Sequence, residues 1–253
     1  MRKIELKQWH TENLVFNKQF YISFAQCTPD RNLSWAEILR ITTDAAGEDF
    51  TDRDMPWTFL QEKGIVIIVS RVSFHVYKMP KYDSIITLKT YEAAPMGPLC
   101  TRMFELYDAE TNELLIKGLS LWTCLDFINK KLMPAKAFPY RPCPTNIAEF
   151  EGIKAGKISI PENMKTIAKH IIQYSELDAN GHTNNSKYIN FAIDNLPKEF
   201  QEKQIKDLRL NYSKEALLGE ELEIKAAYNP EENKYTIQGL VNSEASFECE
   251  LYY

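Results

Sequence analysis

Residues 175 to 197 read SELDANGHTNNSKYINFAIDNLP, and Asp178, Asn180 and His182 stand at alternate positions just ahead of an apolar, helix-like run. Alternation along an extended segment places side chains on one side of the chain, so the three can face one small volume. An imidazole titrates near neutral pH and can take up and return a proton. A carboxylate such as Asp178 can orient it, and a carboxamide such as Asn180 can hold a water. The start of a helix leaves backbone N–H groups free and carries positive potential, which suits a developing oxyanion. The same residues also have a plain structural reading, because Asn and Asp ahead of a helix are ordinary caps. The D-x-N-x-H-x-N spacing imitates a calcium loop as well. Thr183, however, holds the sixth place, where such a loop needs Gly, and Ile189 the twelfth, where it needs Glu, so a metal is rejected. His75 and His170 sit in strand-like apolar surroundings and read as packed or surface residues, and Trp35 and Trp122 read as core.

The elements that must position these residues occur twice. In the second half HIIQY reads as a strand, SELDANGHTN as a turn and NSKYINFAIDN as a helix. Tyr188, Ile189, Ala192, Ile193 and Leu196 form its apolar face, and Pro197 closes it. In the first half FYISF, TPDRN and SWAEILRITTDAA follow in the same order. Trp35, Ile38, Leu39, Ile41, Ala45 and Ala46 recur at helical spacing, and Ser34 and Glu37 have the spacing of a capping box. A constant offset matches Asp30-Arg31-Asn32 with Asp178-Ala179-Asn180 and sets Ser34 against His182. Strand-like segments follow each helix: GIVIIVSRVSFHVY, SIITLKTYEA and a hairpin around DAETN, then DLRLNYSKEA, ELEIKAAYN and a hairpin around NPEEN. Near the end Ala245, Phe247, Cys249 and Leu251 alternate with polar residues, the period of a half-buried antiparallel strand. Each half therefore reads as α+β. Pro134, Pro139, Pro142, Pro144 and Pro161 make the stretch between them an extended connector. The expected division is a first domain over 1–148, a linker over 149–165 and a second domain over 166–253.

Composition excludes several classes. The 253 residues are 44% hydrophobic and 26% charged, enough for a real core. A formal net charge of −5 argues against a nucleic-acid partner, since neutralising phosphates takes a basic face. MRKIELKQWHTEN has no apolar run of the kind an export signal needs, which predicts a cytoplasmic protein. The most apolar stretch, GIVIIV, falls far short of the roughly 20 residues of a membrane span, so none is expected. The five cysteines form no C-x-x-C pair and read as free thiols.

A helix followed by an antiparallel meander that curls around it resembles the hotdog fold, and two copies in one chain resemble the tandem double hotdog of the acyl-ACP thioesterases. The resemblance covers nearly the whole chain. It is carried most specifically by Asp178, Asn180, His182, Asn184, Asn185, Lys187 and Tyr188, which match the family's D-x-N-x-H-x-N-N-x-K-Y. LNYSKEA, at 210 to 216, is similar to the strand on which the family places a catalytic Glu, which here would be Glu215. LWTCLDFINKKL, at 121 to 132, resembles its Trp-containing strand running into a basic turn. Plant members carry a Cys directly after that Glu, whereas this chain has Ala216. The resemblance therefore implies water-mediated thioester hydrolysis by Asp178, Asn180, His182 and Glu215, without a thiolate at 216 and without a cofactor. Glu215 taken alone, flanked by Lys214, reads as a solvated strand-end charge. The implied partner is an acyl carrier protein bearing a fatty acyl group, and Lys130, Lys131, Lys136, Arg141, Lys203, Lys206 and Arg209 are available to meet its acidic surface. The implied assembly is a monomer or homodimer. The alternatives are an acyl-CoA thioesterase and a non-catalytic acyl-binding hotdog protein.

Overall fold

The computed structural model describes residues 4–253; the first three residues, which begin the segment read above as lacking an export signal, lie outside the described residues. In the first half, β1 (Gln8–His10) and β2 (Phe16–Tyr21) lead into the helix α1 (Trp35–Asp52), then α2 (Trp57–Glu62) and the strands β3 (Ile65–Val76), β4 (Ile85–Met96), β5 (Leu99–Asp108), β6 (Leu114–Asp126) and β7 (Lys131–Met133). The second half repeats the order with β8 (Lys165–Ile171), α3 (Tyr188–Ile193), α4 (Lys198–Gln201), β9 (Asp207–Tyr212), β10 (Glu221–Asn229), β11 (Lys234–Val241) and β12 (Glu244–Tyr252). The strands form one antiparallel sheet in the order β1-β2-β4-β5-β6-β3-β9-β12-β11-β10-β8, with β7 paired to β6. Its seam is the pairing of β3 with β9, from Arg71 opposite Asn211 to His75 opposite Asp207. The architecture is a tandem double hotdog of class α+β.

The helical face read from the sequence is the face that packs: Trp35, Ile38, Leu39, Ile41, Ala45 and Ala46 of α1 are all buried. Ser34 accepts the Glu37 N–H at 3.4 Å, but the expected capping box is only half formed. The Glu37 carboxylate accepts instead from Arg40 and Gln26, because these charge-assisted and neutral donors lie within reach while the Ser34 N–H already donates to the Gln26 carbonyl. FYISF is only partly a strand, since β2 ends at Tyr21 and a short 3-10 turn covers Phe24–Gln26. The second helix is short, with a 3-10 turn over Asn185–Lys187 leading into the six residues of α3.

Residues 138–164 contain no helix or strand, as their prolines require. They form a strap across the outer face of the seam. The Ser73 hydroxyl donates to the Ile153 carbonyl, Asn211 donates to the Gly156 carbonyl at 3.0 Å, and Ala94 N–H donates to the Asn146 carbonyl at 2.7 Å. Phe150 and Ala155 of the strap cover Met103, Leu119 and Leu121, side chains of β5 and β6 that would otherwise face water.

Candidate active site

The loop that carries the polar triplet is shaped by its own first member. Asp178 N–H donates to the His182 carbonyl at 2.8 Å, and Gly181, at φ +79, completes a turn that a side chain would strain. Oδ1 of Asp178 accepts the N–H of Asn180 at 2.8 Å and that of His182 at 3.3 Å. The Asp178 carboxylate therefore fixes the backbone on which Asn180 and His182 are mounted. Next along, Asn184 acts as a cap, its Oδ1 accepting the Ser186 N–H at 2.9 Å. Tyr212 of β9 donates its hydroxyl to the Asn185 carbonyl at 3.2 Å, and burial raises its pKa far above the ordinary phenol value, so it stays a donor.

Glu215 is brought to His182 by a backbone clamp. Thr183 donates both its N–H, at 3.1 Å, and its hydroxyl, at 2.7 Å, to the Ala216 carbonyl, while Ala216 N–H donates to the Tyr188 hydroxyl at 3.2 Å. Between these fixed points the Glu215 carboxylate lies 3.7 Å from His182 Nδ1, an ion-pair separation just beyond a hydrogen bond. His182 Nε2 has no hydrogen-bond partner among the described residues. Ala216 itself is fully buried in the core and does not line the cleft, so the side-chain direction at this position points away from the chemistry.

Asp178, Asn180, His182 and Glu215 all line one cleft of about 770 Å³. Its opposite wall comes from the first half: Thr43 of α1, Trp57 of α2, Val66–Ser70 of β3 and Trp122 of β6. A second cavity of about 470 Å³ adjoins it and shares Thr43, Trp57, Ile67 and Trp122. That cavity runs between α1 and the sheet past Ala46, Phe50, Met55 and Leu60, and Glu92 and Arg102 stand on its wall. Arg102 donates to Asp49 at 2.8 Å and to Thr90 at 3.2 Å; Asp49 also accepts from Arg53 at 2.9 Å and contacts His10 at 3.0 Å. Glu92 pairs with Arg53 at 3.0 Å and with Arg141 at 2.6 Å. Through Glu92 and Arg102 this network forms part of the cavity wall, and sequence periodicity gives no sign of it. Trp122, read as core, is partly buried: it packs against two core clusters and also lines the wall shared by both cavities. Trp35 lines neither cavity and packs edge-on against Phe74.

The structural register of the repeat differs from the one read in the sequence. Thr28 N–H donates to the Asn32 carbonyl as Asp178 does to His182, and the bridges Cys27 to Leu33 and Leu177 to Thr183 correspond. Arg31, at φ +63, holds the place of Gly181. Each of these pairs lies 150 positions apart, so Asn32 rather than Ser34 corresponds to His182, Thr28 to Asp178 and Asp30 to Asn180. Leu33 N–H donates to the Pro80 carbonyl as Thr183 does to Ala216, which sets Met79 opposite Glu215. The D-x-N pattern recurs two positions out of register because the turn is set by the positive-φ residue, not by the polar ones.

Three of the seven basic residues read as available to a carrier are already engaged by partners within the fold. Arg141 is buried against Glu92, Arg209 is paired with Glu250, and Lys203 lies over the rings of Phe200 and Tyr253. His75 contacts Asp207 at 2.8 Å and His170 contacts Glu176 at 2.9 Å; neither lines the cleft. Among the described residues no helix is long and apolar enough to cross a membrane.

Comparison with known proteins places this arrangement. Residues 13–136 match the acyl-ACP thioesterase N-terminal domain and residues 161–250 the C-terminal domain. The crystal structure of an acyl-ACP thioesterase from Bacteroides thetaiotaomicron superposes with a TM-score of 0.82 at 21% identity, covering 95% of this chain and 98% of that one. The 12:0-ACP thioesterase from Umbellularia californica superposes with a TM-score of 0.79 at 17% identity, over 96% of this chain and 98% of that one. The chloroplastic palmitoyl-acyl carrier protein thioesterase of Arabidopsis thaliana is 23% identical over 81% of this chain and 53% of its own length. This chain spans little more than half the length of the plant relatives it matches first. Because both family domains match in order, one on each half of the paired sheet, the chain belongs to the acyl-ACP thioesterase family.

Proposed function

We propose that this protein hydrolyses the thioester of a fatty acyl-acyl carrier protein, releasing the free fatty acid and the carrier thiol and so ending chain elongation. The observation that carries the proposal is convergence: an acid–base pair, His182 and Glu215, stands beside Asn180 in a cleft that continues into a largely apolar cavity. Glu215 and His182 together take the proton of a water as its oxygen attacks the thioester carbonyl. Asn180 offers its amide N–H groups to the carbonyl oxygen as charge builds there. The C–S bond then breaks, and the proton held by the pair passes to the departing sulfur. Asp178 holds the loop in shape. The acyl chain lies in the cavity between α1 and the sheet, so the first half shapes the pocket and the second half carries the chemistry. On this reading the domains divide as 1–148 and 166–253, and a single chain holds one complete site, whether it acts as a monomer or a homodimer in the cytoplasm.

The test is release of free thiol from purified protein supplied with acyl-acyl carrier protein and with acyl-CoA over a range of acyl lengths. The proposal requires the carrier-protein thioester to be hydrolysed with the higher kcat/KM. Preference for acyl-CoA would make the protein an acyl-CoA thioesterase, and acyl binding without hydrolysis would make it a binding protein.

A further inference from the structure

Two thiols that thioester hydrolysis does not call on stand beside the cavity. Cys100, near the start of β5, is opposite Trp122 of β6, so Cys124, two residues further along β6, is its diagonal neighbour on the same face of the sheet. Their sulfurs lie 3.4 Å apart. The Arg141 guanidinium donates to the Cys100 sulfur at 3.7 Å and is itself held by Glu92 at 2.6 Å. The S–H bond from Cys124, and after it the positive charge of Arg141, hold the Cys100 pKa below that of an ordinary thiol despite burial. Cys124 is shifted the opposite way, because it donates that bond and is buried, so it keeps its proton. Cys249 shows a buried cysteine without such partners: burial, and then the charge of Glu250, push its thiol up, and it packs in the core as a small hydrophobe. Access differs as well, since Cys100 lines the cavity of about 470 Å³.

We propose that Cys100 and Cys124 form a peroxide-sensitive pair, oxidised by hydrogen peroxide to a reversible disulfide that ties β5 to β6 in the cavity wall. The Cys100 thiolate attacks one peroxide oxygen, and the O–O bond breaks. Its sulfur gives up two electrons and becomes a sulfenic acid, while the other oxygen leaves as hydroxide. Cys124 surrenders its proton to that hydroxide, making water. The Cys124 sulfur then displaces the sulfenic oxygen as a second hydroxide, which solvent protonates. One peroxide is thus reduced to two waters, and two thiols are oxidised to one disulfide. Diagonal cross-strand positions sit about 7–8 Å apart, just beyond what a disulfide ordinarily spans, so closing the bond draws the strands together and stores strain. A strained disulfide yields readily to small thiols, which makes the modification reversible. The proposal is independent of the thioesterase reading, because only thiol chemistry is involved.

The experiment treats the folded, reduced protein with hydrogen peroxide in slight molar excess, blocks the remaining thiols and digests the product without reductant for mass spectrometry. The expected result is a pair of peptides joined through Cys100 and Cys124, with two of the five thiols lost and both regained on adding dithiothreitol. Protein treated in urea should lose this selectivity. In Cys124→Ser, which keeps a hydroxyl donor beside Cys100, the reaction should stop at a sulfenic acid on Cys100 that dimedone traps. That sulfenic acid should form at least about fivefold faster than any at the partly exposed Cys27 or Cys143. In Cys100→Ser, Cys124 should stay unmodified. The unaltered protein decides the matter even where a variant unfolds: absence of the joined peptides from folded protein would overturn the proposal. So would oxidation of Cys27 or Cys143 as fast as Cys100, which would make the pair two ordinary packed thiols.

Discussion

Asp178 separates a scaffold role from a chemical one. Its Oδ1 accepts two backbone N–H groups, from Asn180 at 2.8 Å and His182 at 3.3 Å. Hydrogen bonds to a charged acceptor contribute about 1.5–3 kcal/mol each, but the loop is half-exposed and the second bond is long, so losing both in Asp178→Ala is set at about 1–3 kcal/mol. At about 2–4 °C per kcal/mol for a chain of this size, Tm falls by about 2–12 °C. Release of the loop lets His182 drift from Glu215, and a displacement of about 1 Å at a reacting group costs about 10²-fold in rate. Asp178→Asn keeps an Oδ1 acceptor in the same place and loses only the charge assistance, roughly half the strength of each bond. Its kcat is therefore expected within about tenfold of the unaltered protein. Thiol-release kinetics and thermal unfolding of both variants decide the matter. If Asp178→Asn loses as much kcat as Asp178→Ala with Tm unmoved, the carboxylate charge takes part in the chemistry and the scaffold assignment is wrong.

Further outcomes follow from the same geometry. Asp30→Ala and Asn32→Ala, in the first repeat, should each change kcat by less than about tenfold, because Met79 stands where Glu215 would be needed and no acid–base pair exists there; loss of the 10²-fold or more expected of an acid–base group would show that the repeats share chemistry. Asp49→Ala should cost about 3–5 kcal/mol in chemical denaturation, since it strips the counter-charge from buried Arg102, whereas Glu113→Ala at an exposed pair with Lys78 should cost under about 1 kcal/mol. Equal losses would remove the buried network as the anchor of the cavity. Cys100 lines that cavity, and the S–H of Cys124 at 3.4 Å, followed by the Arg141 guanidinium, favours its thiolate against burial and lowers its pKa below that of a free thiol. Its alkylation should thus persist to lower pH than that of a free cysteine and fade only as pH falls through its own depressed pKa. It should block hexadecanoyl turnover, while Cys100→Ser still hydrolyses; an inactive, stably folded Cys100→Ser would reinstate a thiol in the mechanism.

Much of this was legible in the sequence because it is periodic. The buried face of α1 and the grouping of Asp178, Asn180 and His182 follow from spacing along one element, whereas β12 departs from the expected half-buried alternation because Ser246 and Glu250 are buried along with Phe247, Cys249 and Leu251. Glu215 could be named only through the family resemblance, since its approach to His182 depends on the clamp from Thr183 and Tyr188 to Ala216, which no local pattern shows. The repeat register inferred from the D-x-N spacing differs from the structural one by two positions because the turn hangs on the positive-φ residue, Arg31 in one copy and Gly181 in the other, and an arginine there carries no sequence mark. The cavity was hidden for a different reason: Thr43, Trp57, Glu92 and Trp122 are far apart in the chain and meet only when β4, β5 and β6 close against α1. Arg141 lies in a proline-rich stretch that reads as a tether, yet it is buried against Glu92, so its charge is spent inside the fold.

The most direct measurement is kcat for hydrolysis of acyl-acyl carrier protein by His182→Ala, Glu215→Gln and the double variant, with Tm recorded for each. The His182 side chain is 39% exposed and that of Glu215 59%, and neither carries a cap, so Tm should stay within about 2 °C, the effect of a surface change of about 0.5 kcal/mol. Each single variant should lose about 10²-fold or more in kcat, and the double variant should lose little beyond the worse single one, because the pair handles one proton as a unit. Near-normal kcat in either single variant, or losses that multiply in the double, would contradict a shared proton path through His182 and Glu215.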